Sequence, residues 1–126
     1  DPPGRPARLL ARRELNRLST KLWLDALRRQ LEANGDFATV LTRGDPTAGA
    51  AILVIRGRSG TVSAYARSNM GDGKTSWRAL VSDEEEPSEN LAKTLEKQRR
   101  YDPDLWIIEL DVADPARFIA ELPGIS

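Results

Sequence analysis

The sequence predicts an α+β fold, an α-β sandwich whose helices cover a mostly antiparallel sheet of four or five strands. Three observations carry that expectation. Trp23, Leu27 and Leu31 recur every four residues, which places one apolar face on a helix. Ala48 to Ile55 is nearly all apolar, as in a strand covered on both faces. Gln98 to Leu110 runs from a basic helix end through Asp102-Pro103-Asp104 into a strand headed by Trp106. With the segments between them, these give the order α-β-β-β-β-α-β-α.

Asp1 to Pro6 holds three prolines and a glycine, so residues 1–17 are expected to be a flexible or loosely packed extension and 18–126 a single domain. Ser19 or Thr20 can cap the first helix, and Asn34-Gly35 ends it because glycine accepts the left-handed conformation there. Lys21, Arg28 and Arg29 form its solvated face. Phe37 to Thr42 is the first strand, followed by the turn Arg43-Gly44-Asp45-Pro46. The Ala48–Ile55 strand leads into a hairpin turn over Gly57-Arg58-Ser59-Gly60. Thr61 to Ala66 is the third strand, Asn69 to Lys74 a loop, and Trp77 to Val81 a partly exposed fourth strand. The acidic run Asp83-Glu84-Glu85-Glu86 is expected just before a second helix opening at Pro87-Ser88, where it complements the positive end of the helix dipole. Lys97, Arg99 and Arg100 complement the other end. Leu105 to Val112 is the last strand, and Asp114 caps a short helix from Pro115 to Leu122.

Composition excludes more than it suggests. The chain has 126 residues, 40% hydrophobic and 30% charged, which suits one globular domain. It contains no Cys and no His. Disulfides, thiolate nucleophiles, Cys-ligated zinc and imidazole general bases are therefore ruled out. Any catalysis must use carboxylates, Lys, Tyr, Ser or Thr, so a non-enzyme is the preferred expectation, with neither cofactor nor metal. Its longest apolar run is too short to span a bilayer. The amino end lacks the apolar stretch of a signal peptide, and the cytoplasm is the expected compartment. Net charge is zero, but up to Leu80 Lys and Arg outnumber Asp and Glu two to one, and beyond it the balance reverses. A domain whose halves neutralise each other is the simpler explanation; a basic face meeting an anionic partner is the sharper one.

Two enzyme folds share part of this element order and fail on their motifs. A metal-dependent nuclease core needs carboxylates on its third strand, and Thr61-Val62-Ser63-Ala64-Tyr65-Ala66 has none. An acyl-CoA-dependent acetyltransferase needs a glycine-rich pyrophosphate turn where this chain has four consecutive carboxylates. Gly71-Asp72-Gly73-Lys74-Thr75 resembles the end of a phosphate loop but lacks its first glycine. Arg43-Gly44-Asp45 matches a cell-adhesion triplet that is common by chance.

Two turns form the best candidate surface: Arg43 and Asp45 from one, Arg100, Tyr101, Asp102 and Asp104 from the other. The architectural alternative is favoured. Asp102 can form an Asx-turn, Pro103 fixes φ, and Arg43 can pair with an aspartate. Trp23 and Trp106 fall on core-facing positions. Trp77 is also expected to pack, but beside Lys74 and Arg78 on an edge strand it is a candidate for stacking on a base.

The chain also resembles a small family of uncharacterised alphaproteobacterial proteins, a domain of unknown function. The resemblance rests on Leu22-Trp23, on Arg43-Gly44-Asp45 leading to Ala48-Gly49-Ala50, on Gly60-Thr61, and on Gln98 followed by Tyr101-Asp102-Pro103-Asp104-Leu105-Trp106. It covers about Leu18 to Phe118, leaves Asp1 to Arg17 outside, and tolerates Phe at the Tyr101 position. It implies a compact α-β domain and supplies no activity to carry over.

Three functional expectations follow. The preferred one is a non-enzymatic module of a bacterial protein that binds another protein, suggested by a half-exposed edge strand and uneven charge. The second is a nucleic-acid or anion binder using Arg56, Arg58, Arg67, Lys74 and Arg78 around Trp77, whose binding would collapse with salt. The third is an enzyme using Asp45, Asp102 or Asp104 with an arginine at the two-turn patch, which requires a carboxylate with a raised pKa.

Overall fold

A computed structural model describes residues 19–47, 49–69 and 75–122. The expected extension over 1–17, the loop over 70–74 and Lys74 lie outside the described residues. Helix α1 spans Thr20–Ala33, capped by the Ser19 side chain accepting from Leu22 N. Strands β1 (Phe37–Thr42), β2 (Ala51–Gly57), β3 (Thr61–Asn69) and β4 (Thr75–Glu85) follow, then α2 (Glu89–Tyr101), β5 (Trp106–Val112) and α3 (Pro115–Ala120). The α+β class and the element order are as predicted. Gly35 closes α1 at φ +82°, a conformation that costs glycine little.

The five strands form one sheet in the order β1-β5-β2-β3-β4. β1–β5, β2–β3 and β3–β4 are antiparallel, and β2–β5 is parallel. β5 therefore inserts between β1 and β2, leaving β1 and β4 as the edges. Side chains alternate across the central strands. Ala51, Leu53 and Ile55 of β2 join Trp106, Ile108 and Leu110 of β5 beneath Leu24 and Leu31 of α1, with Phe118 and Ile119 of α3 beside them. Ile52 and Val54 turn the other way, with Ile107, and meet Leu91 and Leu95 of α2. The apolar run of β2 is thus explained by helices on both faces of the sheet.

The structure corrects the expected limits of β3 and β4. β3 continues to Asn69, and β4 runs through Glu85, taking up most of the acidic run expected just ahead of the helix. Pairing across the hairpin outweighs the low strand propensity of carboxylates: Thr61 sits opposite Glu85, and Val62 opposite Glu84. A bulge accompanies the pairing, with Asp83 at φ 47° donating its backbone N–H to Ser63 Oγ at 2.8 Å. Ser88 caps α2 by accepting from Leu91 N, and Glu89 is the acidic residue of its first turn. Glu84 reaches that turn from the sheet, accepting from Ser88 Oγ at 2.6 Å and Asn90 Nδ2 at 2.7 Å. These two donors hold its carboxyl below the usual range.

Candidate functional site

The two turns singled out in the sequence meet at one end of the sheet. Asp45 N donates to Asp104 O at 3.0 Å, and Trp106 Nε1 donates to Asp45 O at 2.7 Å. A Cβ on Gly44 would collide with Asp104 O and lie 2.7 Å from Leu105 C and Trp106 Cδ1, so only glycine permits this approach. The carboxylates serve the turns themselves. Asp45 Oδ1 accepts from Thr47 N at 2.7 Å, and Asp102 Oδ1 accepts from Asp104 N at 3.0 Å, both Asx-type bonds. Helix α1 is fastened to the same end, since Thr20 Oγ1 donates to Gly49 O at 2.7 Å and Lys21 N to Pro46 O at 3.0 Å.

Of the six candidate residues, Arg43, Asp45, Asp102 and Asp104 are thus brought together. Arg100 instead pairs with Glu96 along α2 at 2.6 Å, and Tyr101 projects outward, 77% exposed. Arg43 forms no ion pair with an aspartate among the described residues; its guanidinium lies 5.8 Å from the centre of the Trp106 ring.

The alternative basic set does not form one surface. Arg56 is held between Glu86 and Glu109, and Arg58 lies 4.0 Å from Asp36. Arg67 and Arg78 sit toward the other end of β3 and β4, roughly 17 Å from Arg56 at the usual rise per strand residue. Trp77 is fully buried, which corrects the idea that its ring is available for stacking on a base. It packs against Trp23 with ring centres 5.5 Å apart, and the Arg67 guanidinium lies 4.7 Å from the centre of the Trp23 ring. Burial draws the Arg67 pKa below its ordinary value. No group of three or more Asp or Glu side chains able to hold a metal ion occurs among the described residues.

A groove of about 520 Å³ opens between α1 and the β1–β5 edge, and sequence reasoning did not find it. Its floor is apolar: Leu24, Ala38, Val40, Trp106 and Ile108. Lys21, Arg28, Arg29 and Arg43 line it with Asp25 and Glu32. Lys21 pairs with Asp25 at 2.8 Å and Arg28 with Glu32 at 3.3 Å. The Lys21 hydrogen bond, aided by Arg28 and Arg29 nearby, holds the Asp25 carboxyl below its usual range. The solvated face of α1 supplied one signal for this site; the missing signal was which strand lies beside that face.

β1 forms the outer wall and the edge of the sheet. Phe37 is 62% exposed, Val40 43% and Leu41 42%. Phe37–Thr42 contains neither a charged residue nor proline, whereas the opposite edge strand, β4, carries Arg78, Asp83, Glu84 and Glu85. Among the described residues no strand pairs with the outer side of β1, and no helix is long and apolar enough to cross a membrane.

The family model described as "Protein of unknown function (DUF1491)" matches residues 18–120. A crystal structure of a DUF1491 family protein from Caulobacter crescentus CB15 is 35% identical, with a TM-score of 0.72, covering 86% of this chain and 99% of that one. An NMR structure of a DUF1491 family protein from the same organism is also 35% identical, with a TM-score of 0.72 and coverage of 87% and 97%. The solution structure of protein Atu0922 from A. tumefaciens is 28% identical, with a TM-score of 0.69 and coverage of 78% and 88%. No curated protein matches the chain. With the family model spanning most of its length and its fold shared with these relatives, the chain belongs to the DUF1491 family, whose function is unknown.

Proposed function

We propose that the domain is a non-enzymatic protein-interaction module that receives an extended segment of a partner along the edge of β1 that no strand among the described residues pairs with. One observation carries the reading: an edge strand with no charge and no proline exposes Phe37, Val40 and Leu41. Edge strands normally carry features that stop another chain from pairing with them, and β4 carries several such charges. A bulge between Val40 and Thr42 bends the far end of β1, so Phe37 to Val40 is the regular stretch offered for pairing. Main-chain hydrogen bonds would supply affinity, and the exposed side chains would select the partner's residues.

The test is selection of short peptides from a random library on the immobilised domain, with binding sites mapped by NMR amide shifts. The reading predicts peptides of extended conformation that move the amides of Phe37 to Thr42. The exposed-site variants Phe37→Lys and Val40→Lys should keep the fold and lose those peptides. Selected peptides that shift only amides remote from β1 would refute it, as would undiminished binding to both variants. A dimer in sedimentation that Phe37→Lys dissociates would assign the edge to a second copy instead.

A further inference from the structure

Resting on that reading, we infer that the groove between α1 and β1 makes the site selective for a partner strand with acidic side chains on its α1-facing side. Side chains of a strand alternate between faces, and those of a strand added to β1 follow the same alternation about 5 Å farther out. Ala38 and Val40 face α1, being paired with Leu110 and Ile108 on the floor side of the sheet. Every second residue of the added strand therefore points into the mouth of the groove.

Charge at that mouth is unbalanced. Four cations line the groove against two carboxylates, and those carboxylates are already bonded to Lys21 and Arg28. Arg43 lies over the Trp106 ring, its guanidinium carbon 5.8 Å from the ring centre, and makes no ion pair among the described residues. Arg29 adds a second guanidinium from α1. Two arginines around an apolar floor suit a carboxylate, which accepts two parallel N–H bonds from one guanidinium.

The other face of the sheet discriminates in the opposite sense. Phe37 and Thr39 lie opposite Asp111 and Glu109, and Glu109 is already paired with Arg56 at 3.1 Å. What that face offers beside the added strand is the exposed Phe37 ring and the Asp111 carboxylate, which favours apolar over acidic side chains there. The recognised pattern is thus alternating, acidic toward α1 and apolar away from it. A sequence-tolerant acidic tail would lack the apolar half of that pattern.

Three eight-residue probe peptides test this, alternating Val with Glu, Val with Gln, or Val with Lys. Binding is measured by fluorescence anisotropy and mapped by amide shifts. The Val/Glu peptide should bind at least about tenfold tighter than Val/Gln, with Val/Lys weakest. Arg43→Gln and Arg29→Gln together should erase the Glu preference and leave Val/Gln binding unchanged. Equal binding of the Val/Glu and Val/Gln peptides at β1, or a preference that survives both substitutions, overturns the charge selection while leaving strand addition intact. If none of the three peptides shifts the β1 amides, strand addition itself fails and the selectivity with it.

Discussion

Replacing Gly44 with alanine tests whether the Arg43-Gly44-Asp45 turn is chiefly architectural. The added methyl would sit inside contact distance of Asp104 O, Leu105 C and Trp106 Cδ1. Those obstacles cannot easily retreat, because Asp104 N is bonded to Asp102 Oδ1 at 3.0 Å and Trp106 N to Ala50 O at 2.8 Å. The Arg43–Asp45 segment must move instead. It then strains or breaks the Asp45 N–Asp104 O and Trp106 Nε1–Asp45 O hydrogen bonds, at about 1 kcal/mol each. Overpacking adds about 1–3 kcal/mol. The expected loss is therefore about 3–5 kcal/mol, much of the stability of a typical domain. At roughly 4 °C per kcal/mol for a domain of this size, Tm falls by about 12–20 °C. Urea unfolding followed by tryptophan fluorescence, with the m-value compared between proteins, measures the free energy directly. A loss below about 1 kcal/mol would show that the two turns are not rigidly clamped, and would refute the packing argument.

Two further outcomes follow from packing and charge. Trp77→Ala should cost about 3–5 kcal/mol, because the whole indole is buried against Trp23; near-native stability in thermal unfolding would contradict its core role. Asp25, with its pKa depressed in the folded state by Lys21, contributes stability that is present above the ordinary carboxylate pKa. That contribution is lost as pH falls through the lower folded value. An exposed i,i+4 pair contributes only about 0.3–0.5 kcal/mol, so Lys21→Met should weaken the domain slightly at pH 7 and not at pH 2. A wild-type-to-variant difference that stays constant across the titration would contradict this linkage.

Much of the fold was legible in local chemistry. Ser19 and Asn34-Gly35 marked both ends of α1, and the apolar run ending at Ile55 marked β2 as a strand covered on both faces. The acidic run was misplaced because carboxylates are poor strand formers, and pairing with Thr61 and Val62 is a tertiary effect. Likewise, Arg43 and Asp45 could be named as candidates, but their separation into a cation over the Trp106 ring and a turn-forming carboxylate depends on where Trp106 lands. The groove was hidden for the same reason. Lys21, Arg28 and Arg29 read as an ordinary solvated helix face until β1 and β5 are placed beside them. The lack of any charge in Phe37–Thr42 was visible throughout, but it becomes informative only once that strand is known to be an edge.

The position of β5 has a consequence for the order of synthesis. β1 and β2 are made early, yet neither bonds to the other; the strand that joins them is made last. A nascent chain that has reached α2 can close the β2–β3–β4 meander, but its first strand then has no neighbour. Pairing distant in sequence is slow and leaves unpaired strands vulnerable to aggregation. For that interval Phe37 to Thr42 lacks its β5 partner as well, and Ile107 and Ile108 have yet to cover the flank of β2. While β5 is still inside the ribosomal exit tunnel this chain is therefore in its most adhesive state, and emergence of Trp106 to Val112 completes the sheet in a single insertion.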